Sequence, residues 1–132
     1  MAAPTFHCSV VTPERVVLEK AASFVAVPLY DGELGVLAHR APLLARLGSG
    51  ELRLEGPEGK ESLFVSRGFV QMVGDRLTVL AEEAKPRAEL RRADAERELE
   101  AARALAAPDD LAAAAKQRSI ERARALLHLA AG

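Results

Sequence analysis

The sequence changes character near residue 84, and this change restricts the possible folds more than any other feature. Before it, short apolar runs are separated by turn sequences rich in glycine and proline, a pattern typical of an antiparallel β-sandwich or barrel. After it, no glycine occurs from residue 75 to 131 and the helix formers Ala, Glu, Arg and Leu dominate. We therefore predict an α+β fold, with an N-terminal antiparallel β-sandwich at residues 1–84 and a helical region at residues 85–132.

One interruption, Pro108-Asp109-Asp110, divides the helical region into two segments. The proline ends the first helix and the aspartates cap the second, which predicts helices at about 87–106 and 110–130 in an antiparallel hairpin. Such a hairpin has little large apolar surface and must rest on the sandwich or on a partner. A static hairpin and a mobile one both remain open. The residues expected on the buried sides are Leu90, Ala95, Leu99, Ala102 and Leu105 or Ala106 in the first helix, and Leu111, Ala115, Ser119, Ala123, Leu126 and Ala130 in the second.

The composition excludes several classes of function. A net charge of −1 and an aromatic content of 4% argue against binding to nucleic acid or to anionic membranes. The single cysteine, Cys8, lies in an apolar run, where a buried thiol is expected. No segment has the ~20 apolar residues of a membrane span, and the N-terminus lacks the features of a signal or transit peptide. We expect a protein of the cytosol or of a cytosolic membrane face, without direct membrane insertion.

No arrangement of residues indicates catalysis, a metal site or a cofactor. The histidines are scattered over three segments, and the phosphate-binding, dinucleotide-binding and nucleophile-elbow motifs do not occur. An interaction protein fits better, and its best candidate contact is the segment 31–47, DGELGVLAHRAPLLARL. We expect an irregular docking loop there, shaped by Gly32, Gly35 and Pro42, which presents Glu33 and Arg40 to a partner.

Several motifs resemble the epsilon subunit of F-type ATP synthase, called delta in mitochondria, over essentially the whole chain. The most specific are Gly32-Glu33-Leu34-Gly35 and Ala41-Pro42-Leu43-Leu44 at their present spacing. The resemblance implies a β-sandwich with two antiparallel helices, located in the central stalk and turning with the rotor. It implies as partners the gamma subunit and the polar loops of the c-ring, a non-catalytic role in coupling ion flow to ATP synthesis, and a peripheral position on the cytoplasmic face of the bacterial inner membrane. A stand-alone interaction adaptor is the alternative. Further matching segments are Phe6–Glu14, Gly50–Arg53, Phe64–Val70 and Leu77–Glu82.

The resemblance also implies contact residues in the docking segment. Asp31, Gly32 and Glu33 match the acidic turn that faces the c-ring loops. His39, Arg40 and Pro42 match the region that contacts gamma, where the family usually has Pro-Gly-His or Pro-Asn-His before Ala-Pro-Leu-Leu. This chain has Ala38-His39-Arg40 instead, so a permanently charged arginine replaces a titratable histidine at that place.

In the hairpin, the resemblance points to two further functions. Some bacterial members bind ATP through an Ile/Leu-Asp-x-x-Arg-Ala motif, which corresponds here to Leu90, Arg91, Asp94 and Ala95, with the acid and the arginine exchanged. We expect no tight ATP site, because an acid now stands where the phosphates need a cation; binding in another pose is the alternative. In addition, the family's hairpin can extend into the alpha/beta catalytic head and inhibit ATP hydrolysis. Candidate inhibitory contacts are Arg118, Arg122 and Arg124, for which an ordinary solvated face is an equal alternative.

Overall fold

The structure is a computed structural model that describes residues 3–130, which divide into two compact units. The first unit ends at Pro86 and carries a seven-stranded sheet, and the second begins at Arg87 and carries two α-helices. The predicted fold class, a β-sandwich followed by a two-helix hairpin, is confirmed. The elements are β1 (Phe6–Val11), β2 (Val16–Ala22), β3 (Phe24–Leu29), β4 (Gly32–Leu37), β5 (Leu43–Gly56), β6 (Gly59–Val73), β7 (Arg76–Pro86), α1 (Arg92–Arg103) and α2 (Asp110–Ala130).

The strands follow the order β2-β1-β7-β6-β5-β3-β4. Neighbouring strands are antiparallel except β1 and β7, which pair in parallel from His7 opposite Arg76 to Val11 opposite Leu80. The sheet curls onto itself, since the Lys20 ammonium on the edge strand β2 bonds the Glu61 carboxylate on β6, three positions away in the order. This curl lets side chains from both halves of the sheet enclose one apolar core.

The long strands β5 and β6 contribute to both halves of the sandwich by bending in the middle. In β6 the side chains that belong to the apolar core are Leu63 and Val65 before the bend but Val70 and Met72 after it, so the positions that face this core change from odd to even. Phe64 and Ser66 are buried as well. The change occurs at Arg67 and Gly68, whose φ angles are 60° and 138°. A Cβ on Gly68 would overlap the carbonyl oxygen of Leu80 on β7, so only glycine allows this bend.

The docking segment 31–47 is not the irregular loop that we predicted. Residues 32–37 form strand β4, which pairs along its length with β3, and residues from Leu43 onward belong to β5. The two glycines suggested a loop because glycine disfavours strands locally, but the ladder with β3 outweighs that preference. Two short connections remain outside the strands, Tyr30–Asp31 and residues 38–42.

The hairpin differs from the prediction mainly in its first helix. Residues 87–89 form a 3₁₀ turn and α1 extends only from Arg92 to Arg103, whereas helix α2 has the predicted bounds 110–130. The Asp109 side chain accepts a hydrogen bond from the Ala112 backbone N–H at 2.8 Å, which confirms the predicted cap of α2.

The apolar sides of the two helices were predicted only in part. Leu105 and Ala106 lie beyond the end of α1 and are exposed, while Leu111 and Ala115 are exposed on α2, because the first turns of α2 have no neighbouring helix to cover them. Neither helix within residues 3–130 is long and apolar enough to cross a membrane. The buried side chains of this unit are Ala95, Leu99, Ala102, Ala123, Leu126 and Leu129.

Candidate functional site

The connection between β4 and β5 is held by a residue distant in sequence. His39 adopts a left-handed backbone conformation with φ of 66°, which histidine tolerates better than most residues. Its backbone N–H donates to Asp75 Oδ1 at 2.6 Å, and its ring Nδ1 lies 2.9 Å from Asp75 Oδ2. Both carboxylate oxygens of Asp75 therefore bind one residue of the connection.

Asp75 itself belongs to the tight turn between β6 and β7. Gly74 and Asp75 both have φ values near 58° (58° and 57°), as in a type I′ hairpin turn. The Asp75 carbonyl also accepts the backbone N–H of His7 at 2.9 Å, at the beginning of β1. The β4–β5 connection, the β6–β7 turn and the beginning of β1 thus meet at Asp75.

Arg40 and Pro42 follow His39 in the same connection. Arg40 is half-buried, and its Nη1 lies 3.4 Å from the Ala41 carbonyl oxygen. Within residues 3–130 it forms no ion pair, whereas His39 is engaged by Asp75. The Arg40 guanidinium therefore has no carboxylate partner in the described part of the chain.

The other candidate contact, Asp31 to Glu33, lies at the opposite end of β4. Asp31 and Gly32 are exposed, and the Glu33 carboxylate accepts a hydrogen bond from Arg53 Nη2 at 3.0 Å. Beside this turn, the Arg46 guanidinium stacks over the Tyr30 ring, 4.5 Å from its centroid. A six-residue strand spans about 20 Å, so the two candidate contacts are separate surfaces and not parts of one site.

An exposed apolar surface lies next to the 38–42 connection. The sequence analysis did not predict this surface. Phe69 on β6 lies opposite Leu80 on β7, and Leu80 lies opposite Val11 on β1, which pairs with Val16 on β2. The signal was present in residues 68–73, whose outward positions carry the apolar Phe69 and Val73 on either side of the polar Gln71, whereas a solvent-facing strand usually carries polar residues at such positions. We name as the outer face the five large apolar side chains on this surface that are at least half exposed, Val16, Leu44, Phe69, Val73 and Leu80.

In the hairpin, one of the three candidate arginines is already engaged. Arg122 Nη1 donates to Glu98 Oε2 at 2.7 Å and so joins α2 to α1. Arg118 and Arg124 are exposed on α2. The Nε of Arg87 donates to the Leu129 carbonyl oxygen at 3.0 Å, which ties the last turn of α2 to the 3₁₀ turn.

The residues of the altered ATP motif lie around the beginning of α1. Arg91 is the N-cap residue of α1, is exposed, and makes no side-chain hydrogen bond as a cap. The Asp94 carboxylate is paired with Arg97 on the next turn. Leu90 is half-buried and Ala95 is buried. An ionised carboxylate such as that of Asp94 has no hydrogen-bond donor for a phosphate group.

The titratable groups show no arrangement for catalysis in the part of the chain that the structure describes. Burial raises the pKa of the Cys8 thiol from 9.0 to about 12, so this thiol stays protonated and unreactive at neutral pH. The hydrogen bond to Glu61 raises the pKa of Lys20, which keeps this structural ion pair charged. No three His, Cys, Asp or Glu side chains within residues 3–130 are grouped to hold a metal ion.

Comparison with known proteins agrees with the fold. Residues 5–87 match the family described as ATP synthase, Delta/Epsilon chain, beta-sandwich domain. The chain is 37% identical over 126 residues to the ATP synthase epsilon chain of Granulibacter bethesdensis, which covers 92% of this chain and 93% of that one. It is 50% identical over 82 residues to the ATP synthase epsilon chain of Rhodopirellula baltica, covering 62% of this chain and 64% of the relative.

A third relative and a solved structure complete the comparison. The epsilon chain of Propionigenium modestum, described as sodium ion specific, is 37% identical over 99 residues, covering 75% of this chain and 72% of that one. A chain in the mitochondrial ATP synthase of Euglena gracilis, solved with OSCP, F1 and the c-ring, has the same fold with a TM-score of 0.81 at 23% identity, covering 96% of this chain and 82% of that chain. The resemblance deduced from the sequence motifs is confirmed, and the chain belongs to the ATP synthase delta/epsilon family.

Proposed function

We propose that this chain is a central-stalk subunit of an F-type ATP synthase that turns with the rotor. It binds the gamma subunit through the outer face and the 38–42 connection, and it rests on the polar loops of the c-ring through the turn 31–33. Its role is mechanical and not catalytic: it helps to couple ion-driven rotation of the ring to ATP synthesis in the catalytic head. It lies at the periphery of the cytoplasmic face of the bacterial inner membrane.

The outer face is the observation that carries this proposal. Its five side chains are between 50% and 71% exposed, and a group of exposed large apolar side chains on one face of a sheet marks a protein interaction site. Leu44 joins it to the 38–42 connection, since it follows Pro42 by two residues at the beginning of β5. The cation of Arg40 borders the apolar area, so the partner surface should combine an apolar centre with an acidic rim.

The turn at residues 31–33 supports the contact with the ring. Its exposed carboxylates lie at the opposite end of β4 from the proposed gamma contact, so one rigid strand can place the two partners on different sides of the sandwich. Arg53 partly neutralises Glu33, whereas Asp31 forms no ion pair within residues 3–130. The acidic charge offered to the ring therefore comes mainly from Asp31.

We further propose that the hairpin restrains ATP hydrolysis when it leaves its folded form and enters the alpha/beta catalytic head. Three of its six buried side chains are alanines, so little apolar surface stabilises the folded form. Arg118 and Arg124 are already exposed, and separation of the helices would also release Arg122 from Glu98. These arginines would then be available to acidic surfaces of the head.

Co-purification from the source cell tests the central proposal. A tagged copy of the full chain should recover the gamma subunit together with the catalytic subunits and, from detergent-solubilised membranes, the c-ring. Recovery of other partners without gamma would contradict the proposal and favour the stand-alone adaptor.

The hairpin is tested in the assembled complex. Deletion of residues 87–132 should raise ATP hydrolysis while ATP synthesis is retained. If ATP hydrolysis is unchanged, the hairpin does not inhibit it. The proposal that the chain is a central-stalk subunit would not be affected by that result.

A further inference from the structure

His39 and Arg40 are adjacent in sequence but are held very differently. Two groups of His39, the backbone N–H and the ring Nδ1, lie within hydrogen-bonding distance of the Asp75 carboxylate, although the side chain is 71% exposed. Arg40 forms no ion pair within residues 3–130. Asp75 thus holds the histidine of this connection, whereas no carboxylate within residues 3–130 holds the arginine.

The bonds to Asp75 define the shape of the connection. A left-handed conformation at a residue other than glycine persists only where its surroundings fix it, and for His39 that fixation comes from a residue 36 positions further along the chain. The Asp75 turn is itself anchored, because its carbonyl accepts the His7 N–H at the beginning of β1. The connection is therefore attached to three strands at once.

We infer that Asp75 is a positioning residue for the gamma contact: it fixes His39 so that Arg40 is presented, already ordered, to a carboxylate of the partner. The inference rests on the proposed function. A cation held in place loses less conformational freedom on docking than one on a free loop, which increases affinity. His39 acts through its bonds to Asp75 and does not supply the contact itself.

A substitution of Asp75 by glycine separates the role of the carboxylate from the role of the turn. Asp75→Gly keeps the left-handed conformation that the turn requires and retains the carbonyl that binds His7, so only the two bonds to His39 are lost. Asp75→Asn keeps one acceptor oxygen, so it should change the His39 amide exchange and the affinity for gamma less than Asp75→Gly does. The matched control is Glu58→Gly, which removes a carboxylate from the exposed turn between β5 and β6.

Two measurements on the full-length variants decide the inference. By NMR, Asp75→Gly should speed amide exchange of His39 about tenfold or more, since an exposed hydrogen bond is lost. In binding to purified gamma, Asp75→Gly and Arg40→Ala should each weaken affinity about tenfold, and Glu58→Gly should not. Because Asp75 acts through Arg40, the double variant should bind no more weakly than Arg40→Ala alone.

Each other outcome overturns a specific statement. If the losses of Asp75→Gly and Arg40→Ala multiply in the double variant, Asp75 does not act through Arg40 and the inference fails. Unchanged exchange of the His39 amide in Asp75→Gly likewise refutes it. If the wild-type chain does not bind gamma, the proposed function fails, and the role at the interface fails with it.

Discussion

Phe69→Ala gives the most direct quantitative test of the outer face. Phe69 is 52% exposed between Arg46 on β5 and Leu80 on β7. A fully buried aromatic side chain removes about 150–250 Å² from water, so roughly 100 Å² of Phe69 remains for a partner to cover. At about 25 cal/mol per Å² this area corresponds to about 2.5 kcal/mol, and the alanine Cβ retains a small part of it.

The expected result is a loss of about 2 kcal/mol in binding to gamma, or roughly a 30-fold higher Kd. Isothermal titration of the full-length chain with purified gamma measures this directly. The buried half of Phe69 also contributes to folding, so the variant should lose about 1–2 kcal/mol of unfolding free energy. Urea unfolding then shows whether the variant is still folded at the temperature of the titration.

Leu111→Ala is the matched control. Leu111 is 80% exposed in the first turn of α2, so its truncation should change neither gamma affinity nor stability beyond about 0.5 kcal/mol. A change in Kd of less than twofold for a folded Phe69→Ala variant would refute the outer face as the gamma interface. An equal loss in both variants would show that the effect is not specific to this face.

Three other predictions concern the fold and the hairpin. Gly68→Ala should lower the unfolding free energy by about 2–4 kcal/mol in urea, because its Cβ meets the Leu80 carbonyl; Gly59→Ala, with φ of 114° but no atom within 4 Å, should cost clearly less, and equal costs would remove the steric argument. Since the pKa of Cys8 is raised from 9.0 to about 12, its thiolate is about a thousandfold scarcer in the folded chain below pH 9, and the stability should fall as the pH rises from about 9 towards 12. This fall should be smaller in Cys8→Ala, where the contribution of the thiol is removed and that of the raised Lys20 pKa remains; an equal fall in both chains, or rapid alkylation at pH 8 under native conditions, would contradict the burial. Calorimetric titration of the full chain with ATP should give no binding or a millimolar Kd, because Asp94 stands where a phosphate needs a cation; a micromolar Kd would refute this.

The sequence sufficed for those elements whose signals are local. The cap at Asp109 and the loss of glycine beyond residue 74 determine helix α2, and its bounds were predicted correctly. The turn at Gly74-Asp75 also has a local signal, because left-handed conformations favour these residue types. In each case the residues that determine the conformation are close in sequence.

The errors arose where a distant partner decides the structure. Strand β4 exists because β3 supplies its hydrogen bonds, and no local pattern in a segment with two glycines predicts that pairing. The conformation of His39 depends on Asp75, which lies 36 residues away. The outer face was missed for a related reason, since the sheet order that aligns Phe69 with Leu80 cannot be obtained from either strand alone.

The motif that identified the family is therefore mainly a determinant of the fold. In Gly32-Glu33-Leu34-Gly35, a Cβ on Gly35 would lie 3.1 Å from the Phe24 ring, so the second glycine serves the close packing of β4 on β3. Glu33 is paired with Arg53, and beyond the strand His39 is paired with Asp75. The motif shapes the edge of the sandwich. Under the proposed function, the charges that contact partners are those of its neighbours Asp31 and Arg40, which form no ion pair within residues 3–130. Substitution of these two residues should consequently affect assembly with little effect on folding, whereas substitution of Gly35 should do the reverse.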